Sequence, residues 1–208
     1  MRSALLVCTL GLLGACGDDG GSPGTVDAST DGPTTDSGID AAIDAPPSTS
    51  FRLTSPTITE GAAIPLTHVC ANHGGMNLSP QLAWTNPPAN TMSFAVVFTD
   101  IFSPTQPFVH SVIYDIPATL TGLPADVDKV YAPPDVAGAH QTIGYNNTTR
   151  GYLGPCPNAM HTYEFALYAL PTATLPNSNM ATTRAAAVTA IMANDLAVTK
   201  LTGTFTPP

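Results

Sequence analysis

Charge is scarce in this sequence: Asp, Glu, Lys and Arg make up 10% of its 208 residues, and only six are basic. Those six (Arg2, Arg52, Lys129, Arg150, Arg184 and Lys200) are scattered, which excludes the clustered basic face that nucleic acid requires. There are four cysteines and no Cys-x-x-Cys pair, so the spacing matches no familiar zinc pattern. No internal repeat is visible. Long apolar runs are absent too: the stretch from Ala4 to Leu13 has about 10 residues against the roughly 20 that a membrane-crossing helix needs.

That short run is informative through its setting. It follows Arg2 and leads into Leu13-Gly14-Ala15-Cys16, which resembles the bacterial lipoprotein signal, cut ahead of a cysteine that is then lipid-modified. Residues 1–15 are therefore expected to be removed and Cys16 to carry the lipid. Residues 17–50 contain no aromatic side chain, and only Val26, Ile39 and Ile43 are larger apolar groups. Such a segment buries too little surface to offset its ordering entropy. It reads as a disordered tether with an r.m.s. reach of about 30 Å. Its spaced aspartates, Asp27, Asp31, Asp36, Asp40 and Asp44, lack the glycine and glutamate of a calcium loop and read as solvated spacer. The expected location is outside the cytoplasm, on the outer membrane or in the periplasm or cell surface, with Cys16 as the membrane contact.

Seven of the 15 acidic residues fall in the tether, leaving eight against five basic ones in residues 51–208. The remaining stretch is long enough for one domain with a real core. Turn signals are dense in it. Candidate strands are Phe51-Leu53, Gln81-Trp84, Ser93-Thr99, Val109-Ile116, Tyr163-Leu170 and Leu201-Thr206. Ser93-Thr99 and Val109-Ile116 are nearly continuous in apolar residues and are expected to be covered on both faces. One helix is expected from Thr183 to Leu196, capped by Asn179 or Thr182, with Val188, Ile191 and Met192 as its apolar stripe. The fold class is mainly β with a peripheral helix near the C-terminus. Alternation along "HTYEFALY" puts His161, Tyr163, Phe165 and Leu167 on one face and Thr162, Glu164 and Tyr168 on the other. Trp84 is expected in the core.

With Cys8 in the signal and Cys16 at the anchor, the domain keeps Cys70 and Cys156. In an oxidising compartment such a pair bridges, clamping the loop ahead of His161 onto residues 72–80. A Cys/His metal site drawing on His68, His73 or His161 is the alternative reading. The bridge is preferred, and neither a metal nor a cofactor is expected.

Four stretches in order carry a family resemblance: "NLSPQLAW" (residues 77–84), a strand ending in Asp100, "VHSVIYDIP" (109–117) and "GYLGPCPNAMHTYEFALYAL" (151–170). Together they resemble the phosphatidylethanolamine-binding protein family, in particular its bacterial YbhB/YbcL branch, also described as Raf-kinase-inhibitor-like. The resemblance spans roughly residues 51–206. It implies antiparallel Greek-key β-sheets with short loops forming a small anion pocket at one end. Asp100 matches the first aspartate of the family's D-P-D-x-P motif, His110 the histidine of its H-W pair, and His161 and Tyr163 its H-R-Y. Cys156 and Pro157 match the turn that faces the ligand. The chain departs from the pattern at Phe102, which replaces the second aspartate, at Ser111, which replaces the tryptophan, and at Thr162, which replaces the arginine. His161 and Tyr163 are thus expected in the pocket floor, with Asp100 holding a histidine and favouring its protonated form.

His68 and His140 have no such support and are expected on the surface or in loops, whereas His73 is placed within reach of the rim. Three functions are compatible with these residues. The first is a tethered binding protein for a small phosphate- or carboxylate-bearing ligand, or a lipid headgroup. The second is an inhibitor of a protein partner such as a protease or kinase, acting through the stretch from Asp126 to Gln141. The third is a hydrolase using an Asp-His base. Catalysis ranks last because no nucleophile is placed: strand alternation points Ser111 away from His110.

Overall fold

A computed structural model describes residues 49–208, so the signal, Cys16 and the tether up to residue 48 lie outside the described residues. Two antiparallel sheets form the domain. β1 (Arg52–Thr54), β2 (Leu82–Thr85) and β5 (Gly122–Leu123) make the smaller one, in the order β1-β2-β5. The larger one runs β6-β4-β3-β7-β8, built from β3 (Ser93–Asp100), β4 (Phe108–Pro117), β6 (His140–Gln141), β7 (His161–Leu170) and β8 (Ala197–Phe205). Its first four positions form a Greek key, because β7 returns to lie beside β3 after β4 and β6 have been laid down.

β3, in the middle of the larger sheet, is apolar on both faces for a structural reason. Phe94, Val96 and Phe98 of β3 enter the main core with Trp84, Phe165 and Leu167. Ala95 and Val97 enter a second core with Val112, Tyr114 and Leu170, and helix α1 (Arg184–Met192) covers it. Trp84 is buried as expected, its indole N–H donating to the Leu120 carbonyl at 3.1 Å.

The helix is shorter than expected. Thr183 is its N-cap, accepting from the Ala186 amide at 3.2 Å. Residues 193–196 do not continue it: Ala193 is the C-cap, the Leu196 amide donates to the Ala169 carbonyl of β7 at 2.8 Å, and β8 begins at Ala197, ahead of the expected start at Leu201. Ala187 and Ile191 are the helix's buried residues, while Met192 of the expected stripe is 60% exposed. Two of the histidines also differ from expectation. His68 is buried, bridging the Leu78 carbonyl and the Thr57 hydroxyl at 2.9 Å each, and His140 lies on β6 with its Nδ1 at 2.9 Å from Asp115. The stretch from Asp126 to Gln141 is anchored by the buried residues Val127, Val136, Ala139 and Gln141 rather than standing free.

Two irregularities in the β3–β4 pairing shape the site. At the first, Asp115 takes a left-handed φ of 59°, and its carboxylate accepts the Leu175 amide at 2.6 Å as well as His140. At the second, Phe98 faces Ser111 and Thr99 faces Val109, which leaves His110 as the extra residue of a bulge. Alternation fails there. Ser111 lines a 40 Å³ interior cavity together with Val96, Phe98 and Phe165. The His110 ring packs edge-on against the same Phe98 at 5.2 Å. The two neighbours therefore share a side of the strand, contrary to the expected opposition, because the residue inserted at a bulge breaks the period of two.

Candidate functional site

Three strand ends converge at one edge of the larger sheet. β3 ends in Asp100, β4 begins at Phe108 and β7 begins at His161. The register sets Asp100 opposite Tyr163, and alternation carries Tyr163 and Phe165 into the main core beneath. Asp100, His110, Cys156, Pro157, His161 and Tyr163 line one cleft of about 170 Å³, with Phe108 and Tyr145 completing it. All six residues singled out in the sequence are brought together, although up to 63 positions separate them in the chain.

The loop of residues 151–157 forms one wall and is held at several points. A disulfide joins Cys70 to Cys156 across 86 positions with a Cα–Cα distance of 5.4 Å. The Cys70 amide donates to the Pro155 carbonyl at 3.0 Å. The Gly154 amide donates to the Asn77 side chain at 2.8 Å, and the Tyr152 hydroxyl donates to the His68 carbonyl at 2.7 Å. Gly154 has no alternative here: a Cβ on it would sit 2.1 Å from the His68 carbonyl oxygen, far inside van der Waals contact. The His73 ring reaches the Pro157 carbonyl with Nε2 at 2.8 Å, so it braces the wall from behind and does not line the cleft. Side-chain atoms of Cys70, His73 and Cys156 lie within 4.8 Å of one another. With the two sulfurs bonded together, however, no thiolate pair is present to ligate a cation.

Within the cleft the polar groups have defined roles. His161 donates Nδ1–H to Asp100 at 2.6 Å, and the other carboxylate oxygen accepts the Phe102 amide at 2.9 Å. With Nδ1 engaged, Nε2 is the His161 atom left for a ligand. Phe102, which stands where the family has its second aspartate, stacks flat on the His161 imidazole with centroids 4.2 Å apart and planes within 4°. Tyr163 is held in its protonated form well above the usual phenol range, first by burial and then by the Asp100 charge and hydrogen bond. Burial raises Tyr145 as well. Both phenols are thus neutral.

His110 is the deeper of the cleft's two imidazoles, buried between Phe98, Phe108, Tyr145 and Tyr163. Its Nδ1–H donates to the Leu153 carbonyl at 2.9 Å. Burial pushes its pKa below 6.5, an effect that this hydrogen bond and the Asp100 charge only partly offset. A neutral His110 shows the cleft a lone pair at Nε2 and therefore asks for a donor. Its lowered pKa also makes a prediction about stability. As pH falls through 6.5, the unfolded chain takes up a proton at this residue before the folded chain does, so ligand-free protein loses stability on the acid side and keeps it above that pH. Urea denaturation at pH 7.5, 6.5 and 5.5 is expected to show a steeper acid loss in the parent than in His110→Phe. Parallel profiles would mean that the ring titrates alike in both states.

Phe108, Tyr145 and Asn77 were not found by sequence reasoning as functional residues. Phe108 opens β4 one residue ahead of the expected strand, and Tyr145 arrives through a turn with no motif of its own. Asn77 opens the "NLSP" stretch, and its left-handed φ of 58° and its bond to Gly154 explain why an asparagine stands there.

Comparisons with known proteins agree with the fold. The family model described as phosphatidylethanolamine-binding protein matches residues 54–206. A protein of Methanothermobacter thermautotrophicus named UPF0098 is 37% identical over 124 residues, covering 59% of this chain and 78% of its own. A Mycobacterium tuberculosis protein named as a lipoprotein, LppC, is 33% identical over 164 residues, covering 77% and 74%. The crystal structure of Escherichia coli YbcL, described as a member of the mammalian PEBP family, superimposes with a TM-score of 0.68 at 31% identity, covering 75% of this chain and 98% of that one. None of these names is that of an enzyme.

Proposed function

Because the chain belongs to the phosphatidylethanolamine-binding protein family, we propose that it is an exported, membrane-tethered binding protein whose cleft takes a small phosphate-bearing anion. The observation that carries this reading is the convergence of Asp100, His110, Cys156, Pro157, His161 and Tyr163 on one 170 Å³ cleft. His161, its Nδ1 engaged by Asp100, turns Nε2 to the ligand, and the Tyr145 hydroxyl supplies a neutral donor. His110 accepts. A phosphate monoester monoanion offers both acceptor oxygens and one hydroxyl, and so satisfies this mixed set, whereas a carboxylate has no proton to give to His110. Asp100 serves by holding His161, since its own charge would repel the ligand. Cys16 is the lipid anchor in this reading and the segment after it the tether, and a relative named as a lipoprotein supports it.

Calorimetric titration of phosphate and phosphoethanolamine into the full chain tests the cleft. Saturable heat is expected in the parent, with affinity at least tenfold weaker in His161→Ala. Equal affinity in the two proteins would remove the site from this cleft.

A further inference from the structure

The disulfide behind the cleft wall has a histidine beside it. Cys70 is the N-cap of a one-turn helix, Ala71–His73, so Cys70 and His73 stand three positions apart on one tight turn and present their side chains on the same side. Cys156 arrives from the loop ahead of β7, and its sulfur, the Cys70 sulfur and a ring nitrogen of His73 all lie within 4.8 Å of one another. A zinc ion with bonds of about 2.3 Å to sulfur and about 2.0 Å to nitrogen needs its ligand atoms about 3.5–3.8 Å apart. Three corners of one tetrahedron are therefore already gathered.

Two further features point to a ligand set. The His73 Nε2 lies 2.8 Å from the Pro157 carbonyl. A carbonyl can only accept, so Nε2 carries the hydrogen, and the neutral ring keeps its lone pair on Nδ1. An imidazole that gives one N–H to a backbone carbonyl and keeps the other nitrogen for a cation is the form in which histidine ligates metals. The backbone around the sulfurs is also fixed without the bond between them. The Cys70 amide donates to the Pro155 carbonyl at 3.0 Å, the Gly75 amide to the Cys70 carbonyl at 3.1 Å and the Gly154 amide to the Asn77 side chain at 2.8 Å. Breaking the bridge therefore leaves the two cysteines facing each other. Cys70 is buried, whereas Cys156 is half-buried and lines the cleft, so a reductant approaches from the Cys156 side.

We propose that Cys70, His73 and Cys156 form a redox-gated site for a thiolate-seeking divalent cation of the zinc type. A dithiol attacks the bridge from the Cys156 side. Its two S–H groups are oxidised to a disulfide, and the two electrons and two protons they give up convert Cys70 and Cys156 to thiols. The cation then displaces the two thiol protons and binds two thiolates and the neutral imidazole, with water in the fourth position. Two thiolate charges balance the cation, so the occupied site is neutral beside the cleft. In the oxidised protein a covalent bond clamps the cleft wall, and in the reduced protein the metal clamps the same two segments.

The test uses the full chain carrying Cys8→Ser and Cys16→Ser, which leaves Cys70 and Cys156 as its only cysteines. After reduction with a phosphine, and removal of the phosphine under nitrogen, Co²⁺ is titrated as a spectroscopic stand-in for Zn²⁺. A thiolate-to-cobalt charge-transfer band is expected to saturate at one equivalent and to vanish when Zn²⁺ is added, while the oxidised chain gives no band. His73→Gln, which can still donate to the Pro157 carbonyl, is expected to bind Zn²⁺ at least tenfold more weakly. Zn²⁺ is also expected to raise the urea midpoint of the reduced chain and to leave that of the oxidised chain unchanged, so a chain that loosens on reduction is read by its recovery with zinc. A reduced chain with two titratable thiols that shows neither band nor recovery would overturn the site. Binding of equal strength in His73→Gln, or in the oxidised chain, would overturn it as well.

Discussion

Phe98→Ala is expected to cost about 3–5 kcal/mol of stability, the range for removing a fully buried phenylalanine, read as a lowered urea midpoint at an unchanged slope. Phe98 is 2% exposed. It packs against Phe165 at 4.3 Å, Tyr152 at 5.1 Å, His110 at 5.2 Å and Tyr163 at 5.7 Å between ring centroids. Two of those rings line the cleft, so the variant is also expected to weaken phosphate binding although it touches no ligand. Phe98→Leu keeps most of the volume and is expected to cost under half as much. If the leucine variant is as unstable as the alanine variant, the stacked ring geometry and not the filled volume carries the energy.

Replacing both cysteines, Cys70→Ser with Cys156→Ser, is expected to destabilise by on the order of 4 kcal/mol, because an 86-residue loop regains its freedom in the unfolded chain. Thermal unfolding of the double variant should coincide with that of the parent in excess dithiol reductant. The hydrogen bonds from Cys70 to Pro155 and from Gly154 to Asn77 remain available to hold the cleft wall. Phosphate binding is therefore expected to weaken less than folding does. Loss of binding with stability retained would show that the bridge positions the wall and adds little to the fold.

Several features of the protein could be read from the chain because they depend on local pattern. The alternation in "HTYEFALY" placed His161 and Tyr163 on the face where the cleft lies. The unbroken apolar runs of β3 and β4 marked strands covered on both sides, and the lone pair of domain cysteines marked the bridge. The helix was expected to reach Leu196 but ends at Met192, because the chain turns there into contact with β7, where the Leu196 amide meets the Ala169 carbonyl, and no window of sequence contains that partner. His68 was misread because its ring is held by Thr57 and the Leu78 carbonyl, which loops on either side of it bring back onto it and no local periodicity announces.

The sequence by itself determined six of the eight strands among the described residues, the Cys70–Cys156 pair and the identity of six cleft residues, because period-two patterning, composition and motif order are properties of neighbours along the chain. Only the tertiary structure decided that Ser111 shares a side with His110, since a bulge breaks alternation without leaving a mark in composition. It also decided the His110 tautomer, which depends on a carbonyl 43 positions away. Phe108 as a wall of the cleft is a tertiary result as well, because shape and desolvation arise only when distant segments pack together.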